Sequence, residues 1–299
     1  MSKNILITGA TGKQGGGVIK HLLNNPSFTL LALTRNTSSA SAQALAKKSP
    51  NIKLVQGDQN DVPALFKSAL EATHGSKIWG VFSVQVAGAG EVKQGCDMID
   101  EAKKHGVKCL IYSSVERGGD AESWKTETTV PHFQTKYRVE HYLRENAGNE
   151  MAWTILRPTA FMDNLAPGFP AKVFLAAMRD TLGEKPLQWI ASSDIGAFAK
   201  IVFERPEEWN REALGLAGEE QTVAQLCEKV ERKTASSVQP TFWVFGTLLK
   251  KLVSEMGVML DWFGSDGYKA DIPKLRKIYP GLMDFEAWLE KESPFPKKV

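Results

Sequence analysis

Cysteine is scarce: three in 299 residues, at Cys96, Cys109 and Cys227. An odd and scattered set builds neither a disulfide framework nor a zinc site, so no metal is expected and a reducing compartment is the default. No apolar run approaches the roughly 20 residues that a membrane helix needs. The apolar start Ile5-Leu6-Ile7 is shorter than a signal-peptide core of about 7–15 residues, so a cytoplasmic location is the expectation. Neither charge dominates, with 37 Lys+Arg against 34 Asp+Glu and a net charge of +3. Without a basic stripe, neither nucleic acid nor an anionic membrane is an expected partner.

What is present is an alternation. Short β-branched runs at 4–8, 28–34, 52–56, 78–84, 108–113 and 152–157 alternate with amphipathic stretches at 14–24, 62–72, 91–105 and 132–145. Strands separated by helices of this length predict an α/β protein with a doubly wound parallel sheet. Runs such as Leu30-Leu31-Ala32-Leu33 are apolar throughout, as strands covered on both faces are. After Arg157-Pro158 the rhythm breaks into helical patterns at 169–179, 194–204, 223–233 and one long stretch at 245–263. Thr222 and Gln225 form a capping box for the third of these. The expected division is a dinucleotide-binding domain at 1–157 and a smaller, mainly helical substrate lobe at 158–299, with the chain crossing between them. Of the aromatic residues, 9 fall in 1–150 and 18 in 151–299. Two readings stand for that excess: the filling of a small core, or the lining of an apolar substrate cleft.

Gly9-Ala10-Thr11-Gly12-Lys13-Gln14-Gly15 follows the first strand and opens the first helix. Glycines there let the backbone turn tightly and approach a pyrophosphate, whose charge rests on the free N–H groups of the helix start. Gly9, Thr11, Gly12, Lys13, Gln14 and Gly15 are therefore candidate cofactor residues. A cofactor with a free ribose 2′-hydroxyl calls for an acidic residue near the end of the second strand. That place reads Leu33-Thr34-Arg35-Asn36, and a guanidinium holds a 2′-phosphate bidentately, so the expected cofactor is NADP(H). Asp58 and Gln59 follow the third strand and can border the adenine; alternatively Asp61 beside them simply caps the next helix. Phe82 and Ser83, ending the fourth strand, are expected nearer the nicotinamide.

The glycine run, Tyr112-Ser113-Ser114, His132–Glu140 (HFQTKYRVE) and Leu156–Asn164 (LRPTAFMDN) together resemble the NmrA-like branch of the atypical short-chain dehydrogenase/reductases. The resemblance continues through Asp266–Leu289 to the ends of fungal members. It implies a Rossmann domain binding NADP(H), and a small lobe over the cofactor. Some members resemble sensors that bind NADP without turnover and regulate a protein partner; others reduce quinones, benzylic ethers or unsaturated intermediates of secondary metabolism. In the parent superfamily a Tyr-x-x-x-Lys pair passes the proton and holds the nicotinamide ribose. This chain has His132-x-x-x-Lys136 instead.

A spacing of four puts both residues on one helix face. An imidazole can relay a proton near neutrality but does not stabilise an alkoxide as a phenol does. The alternatives are a plain helix-start residue for His132 and an i,i+4 pair with Glu140 for Lys136. Tyr112 and Ser114 are the other hydroxyl donors at this end. Residues 157–164 are expected to pass beneath the nicotinamide, with Phe161, Met162 and Asn164 toward cofactor or substrate. Trp243, Phe245, Met259, Trp262 and Phe263 would form the opposing wall, or else plain core. The leading expectation is an NADPH-dependent oxidoreductase acting on a bulky, apolar, conjugated small molecule by hydride transfer to C=C or C=N. Such a substrate can also isomerise or cyclise in a closed pocket. The competing expectation is a redox sensor with a protein partner.

Overall fold

The computed structural model describes residues 2–298. In chain order the first half runs β1 (Lys3–Ile7), α1 (Lys13–Leu22), β2 (Phe28–Thr34), α2 (Ala40–Ala46), β3 (Ile52–Gln56), α3 (Val62–Ala72), β4 (Ile78–Ser83), α4 (Glu91–Lys104) and β5 (Cys109–Ser113). Then come α5 (Asp120–Lys125), α6 (Pro131–Asn146), β6 (Ala152–Pro158), β7 (Ala160–Phe161), α7 (Phe169–Leu182), β8 (Leu187–Ile190), α8 (Ser192–Glu204), β9 (Glu212–Leu216) and β10 (Glu219–Gln221). The last part is helical: α9 (Val223–Lys233), α10 (Trp243–Leu252), α11 (Ser254–Ser265), α12 (Ile272–Ile278) and α13 (Phe285–Lys291).

A seven-stranded sheet has the order β3-β2-β1-β4-β5-β6-β9. The pairings among β1–β6 are parallel. This is the doubly wound order with one strand added, and its direction reverses between β1 and β4. Ligands of such sheets bind outside the carboxyl ends of the strands at that switch point. Every predicted strand of the first half is present, and β5 and β6 are buried throughout, as their apolar runs require.

The chain divides into two compact units that are not contiguous in sequence. Unit 1 holds Met1–Ser114, Thr135–Arg157 and Ser192–Leu214; unit 2 holds Val115–Gln134, Pro158–Ala191 and Gly215–Val299. The simple division at 157 therefore misplaces two segments. For 192–214 the reason is packing: α8 returns to unit 1 and lies backbone-to-backbone on α1. A Cβ on Gly196 would stand 2.2 Å from the Gly17 carbonyl carbon, so only glycine permits that approach.

Unit 2 has its own three-stranded sheet, β10-β8-β7, and a core in which Phe133, Trp262, Tyr268, Phe285 and Trp288 are buried. The capping box is formed, with Gln225 N donating to Thr222 Oγ1 (3.2 Å) and Thr222 N to Gln225 Oε1 (2.9 Å). The expected long helix at 245–263 is two helices. The chain leaves the helical region at Val253 (φ −116°, ψ 83°). No glycine or proline marks that break; tertiary packing makes it. α10 lays Gly246 against the backbone of α7 at Ala177, while α11 turns Leu260, Trp262 and Phe263 into the core. Among the described residues no helix is long and apolar enough to cross a membrane, and no His, Cys, Asp and Glu cluster could hold a metal ion.

Candidate functional site

In unit 1 the turn after β1 is a closed cradle. Gly9 takes a left-handed φ of +60°, and Gly12 N donates to its carbonyl at 2.9 Å. A Cβ on Gly15 would sit 2.4 Å from Gly9 O and 2.5 Å from Thr8 O, which closes the position to other residues. α1 begins immediately, capped by Gly12, which has no side chain to satisfy the first N–H groups. Thr11, Gly12 and Lys13 are exposed beside them. Gln14 is half-buried and accepts the Ser113 hydroxyl at the end of β5. A tight turn feeding an uncapped helix start fits a pyrophosphate.

At the end of the adjacent β2, Arg35 is exposed and has no hydrogen bond or ion pair among the described residues. Past β3, Asp58 accepts from Asn60 N (2.9 Å), shaping its own loop. Asp61 caps α3 through Ala64 N (3.1 Å), so the capping alternative holds for that residue. Gln59 donates to Val84 O (3.2 Å) and accepts from Gln85 Nε2 (3.0 Å), tying the exits of β3 and β4 together. Phe82 is fully buried and shares a sheet face with Gly80, which abuts Phe203 of α8; its carbonyl accepts from Thr8 N (3.0 Å). Ring and carbonyl are thus both engaged in the core. Ser83 is also buried, its hydroxyl accepting from Gln85 Nε2 (2.9 Å).

Lys136 lies at the carboxyl end of β5. Its ammonium stands 2.8 Å from Glu91 Oε1, 3.5 Å from Ser113 O and 5.9 Å from the Tyr112 ring centre. Glu91 opens α4, is 0% exposed, and on its other oxygen accepts a hydrogen bond from the Thr135 hydroxyl. Glu140, the pairing alternative read from the i,i+4 spacing, is fully buried and held by Arg157 Nη2 at 2.8 Å and Nε at 3.1 Å. The Ser114 hydroxyl also donates to Glu140, which leaves that proton already bound to a buried carboxylate. Arg157, expected beneath a nicotinamide, is therefore a fork that fastens α6 to β6. Tyr112 is buried on β5. Burial pushes the Cys109 thiol up to about 12, and burial with nearby aspartates raises Cys96 to about 11, so no reactive thiolate stands at these positions near neutral pH.

Sequence reading missed Glu91, Thr135 and the role of Arg157. Glu91 reads only as the first residue of a helix. Its partner is brought to it by the adjacency of β4 and β5, which no local pattern encodes.

In unit 2, His132 Nδ1 lies 2.6 Å from Glu255 Oε1, and its ring packs edge-on against Phe133 at 4.7 Å. An apolar cavity of about 530 Å³ is lined by residues of the 164–167 loop, α7, α10 and α11. Asn164, Phe174, Leu249, Met256 and Met259 are among its walls. Of the eight substrate candidates, Asn164 and Met259 line this cavity. Met162, Trp262 and Phe263 are buried in the core instead, because their helical or strand phase turns them inward. Trp243 and Phe245 face outward on α10, 65% and 39% exposed, since that helix spends its one close-packed face on α7 at Gly246. Phe161 is half-buried in β7, paired in register with Ile190.

The NmrA-like family model matches residues 1–289. The chain belongs to the NmrA-like family. It is 31% identical over 230 residues to the NmrA-like family domain-containing oxidoreductase hkm9 of Aspergillus hancockii, covering 69% of this chain and 65% of that relative. Among solved structures it resembles NmrA, a negative transcriptional regulator, in complex with NADP (TM-score 0.71, 22% identity, 98% of this chain and 96% of that one). It equally resembles the NADPH-dependent quinone oxidoreductase QOR2 of Escherichia coli complexed with NADPH (TM-score 0.72, 21% identity, 96% and 98% covered). At these identities the two structures establish a shared fold, and that fold serves a regulator in one and an enzyme in the other.

Proposed function

We propose that this chain is an NADP(H)-dependent oxidoreductase of the atypical short-chain type, acting on a bulky, apolar, conjugated small molecule of secondary metabolism. The carrying observation is the pairing of an uncapped glycine turn after β1 with the guanidinium of Arg35 at the end of β2, which has no partner among the described residues. The turn accepts a pyrophosphate and Arg35 a 2′-phosphate; Asp58 and Gln59 border the adenine side. The bound nicotinamide supplies or accepts a hydride. Lys136 holds the nicotinamide ribose and keeps a donor at the carboxyl end of β5. Met256, Met259, Phe174 and Leu249 offer a substrate dispersion contact without charge, and thioethers adapt to irregular shapes. With histidine in the tyrosine position and the Ser114 proton committed to Glu140, reduction of C=C or C=N suits the site better than reduction of an ordinary carbonyl.

The test is loss of NADPH absorbance on addition of quinones, unsaturated ketones and cyclic imines, with Lys136→Met as the control. Turnover by the wild type, abolished in a folded Lys136→Met protein, is the expected result. A fully active variant would remove Lys136 from the mechanism.

A sensor reading retains one favourable observation, the contact of His132 with Glu255, which ties up the side chain in the tyrosine position. A sensor must bind NADP+ and NADPH with different affinity, or bind differently to two conformations. An enzyme need not.

A further inference from the structure

We propose that Glu91 is the positioning residue for Lys136, fixing the ammonium at the carboxyl end of β5 so that it meets the nicotinamide-side ribose of bound NADP(H). The inference rests on the cofactor reading above and adds a residue to it.

Three observations carry it. The carboxylate is fully buried, yet it receives both the Lys136 ammonium and the Thr135 hydroxyl, one on each oxygen. It occupies the first turn of the 14-residue α4, where the helix dipole favours a negative charge. The two helices are also held at a fixed approach one turn further along. A Cβ on Gly95 of α4 would meet Val139 Cγ1 of α6 at 2.7 Å, so α4 can come close enough for the pair only through glycine. Buried groups joined in this way lose rotational freedom that a lone surface lysine keeps. The lysine head is then confined near Ser113 O and the Tyr112 ring rather than sweeping solvent.

The pair is also neutral as a unit. Lys136 therefore offers the ribose hydroxyls a directed donor rather than a net attraction for phosphate. This gives the proposal a sign that a purely electrostatic role lacks. Removing the Glu91 charge draws an anionic dinucleotide in, whereas releasing Lys136 from its position weakens the ribose contact. Weaker binding after neutralisation thus reports position.

The experiment measures binding of NADPH and of adenosine 2′,5′-bisphosphate, which lacks the nicotinamide ribose, to the wild type, Glu91→Gln, Lys136→Met and the double variant. NADPH affinity should fall about tenfold in Glu91→Gln, the usual worth of a hydrogen bond to a charged group. It should fall no further when Glu91→Gln is added to Lys136→Met, and the bisphosphate should bind Glu91→Gln and the double variant, neither of which leaves an unanswered negative charge, at least as tightly as the wild type. Glu91→Asp keeps the buried charge pair but shortens its reach. It should fold and show an intermediate loss, which preserves the test should the glutamine variant not fold. Unchanged or tighter NADPH binding in Glu91→Gln, an equal further loss in the Lys136→Met background, or a matching loss of the bisphosphate would each overturn the proposal. A wild type that binds the bisphosphate but not NADPH overturns it as well; one that binds neither overturns the cofactor reading beneath it.

Discussion

The strand ends of unit 1 and the cavity of unit 2 handle polar side chains in opposite ways. In unit 1 the strand ends carry charges that are buried and answered: Glu140 on Arg157, Glu91 on Lys136 and Thr135. In unit 2 the candidate cavity is walled by apolar, deformable side chains, and Phe242 before α10 and Trp243 and Leu248 on it stand in solvent. A fixed cofactor of invariant shape calls for the first kind of surface, where each donor has one place to be. A substrate recognised by bulk and apolarity calls for the second. Under the proposed function, the contrast teaches that geometry would set NADP(H) handling and volume would set substrate choice.

The contrast can be broken most forcefully at the buried fork. Removing one partner of a buried ion pair leaves an unanswered charge and costs about 3–5 kcal/mol, so Arg157→Met should lower the denaturation midpoint steeply. A loss below about 1 kcal/mol in urea unfolding would mean that the fork adds no more than a surface pair does. Next in size is Arg35→Ala, which should weaken NADPH by about 1.5–3 kcal/mol while sparing NADH. Equal loss of both in a calorimetric titration would show that Arg35 does not read the 2′-phosphate. In unit 2 the comparison predicts tolerance: Met259→Leu keeps volume and should cost under about 1.5 kcal/mol, with binding of a neutral polycyclic aromatic little changed. A collapse of aromatic binding in that variant would make the cavity as exacting as the glycine turn.

The smallest effect is a pH dependence in unit 2. Burial raises the Glu116 carboxyl above its usual range, although the N–H groups of Gly118, Gly119 and Lys269 donate to it and moderate the shift. A raised native pKa gives stability that is complete below the unfolded-state value and is lost as pH rises through the native one. Melting temperatures of Glu116→Gln followed from acid to neutral pH should therefore lack a decline that the wild type shows. Parallel profiles would rule Glu116 out as its source.

Unit 1 was far more legible in the sequence than unit 2. Apolar runs covered on both faces are unambiguous, and a glycine turn between strand and helix is a backbone requirement written in residue type. The short α2 escaped because Ala40–Ala46 is alanine- and serine-rich, with little apolar periodicity. β7 and β10, of two and three residues, are too short for any alternation to register. The break at Val253 has no local signal at all. In the site, the glycine turn and the places of Arg35 after β2 and Lys136 on α6 could be read directly, because each depends on its own strand or helix. Glu91 could not, since it lies 44 residues from Thr135 and meets it only through strand order. Met162 was read toward substrate and lies in the core, and for Trp262 the core alternative holds, because a large apolar side chain looks the same in a core as in a cleft.

The central claim is that NADP(H) binds at the turn after β1 as the cofactor of an enzyme. The most direct measurement is separate titration of NADPH, NADP+ and NADH into the purified protein, with particle size followed in the same samples. NADPH should bind more tightly than NADH, NADP+ and NADPH should bind comparably, and the particle should stay unchanged. Equal affinity for NADH and NADPH would contradict the cofactor assignment. A large gap between NADP+ and NADPH accompanied by a change in assembly would contradict the enzyme and establish the sensor.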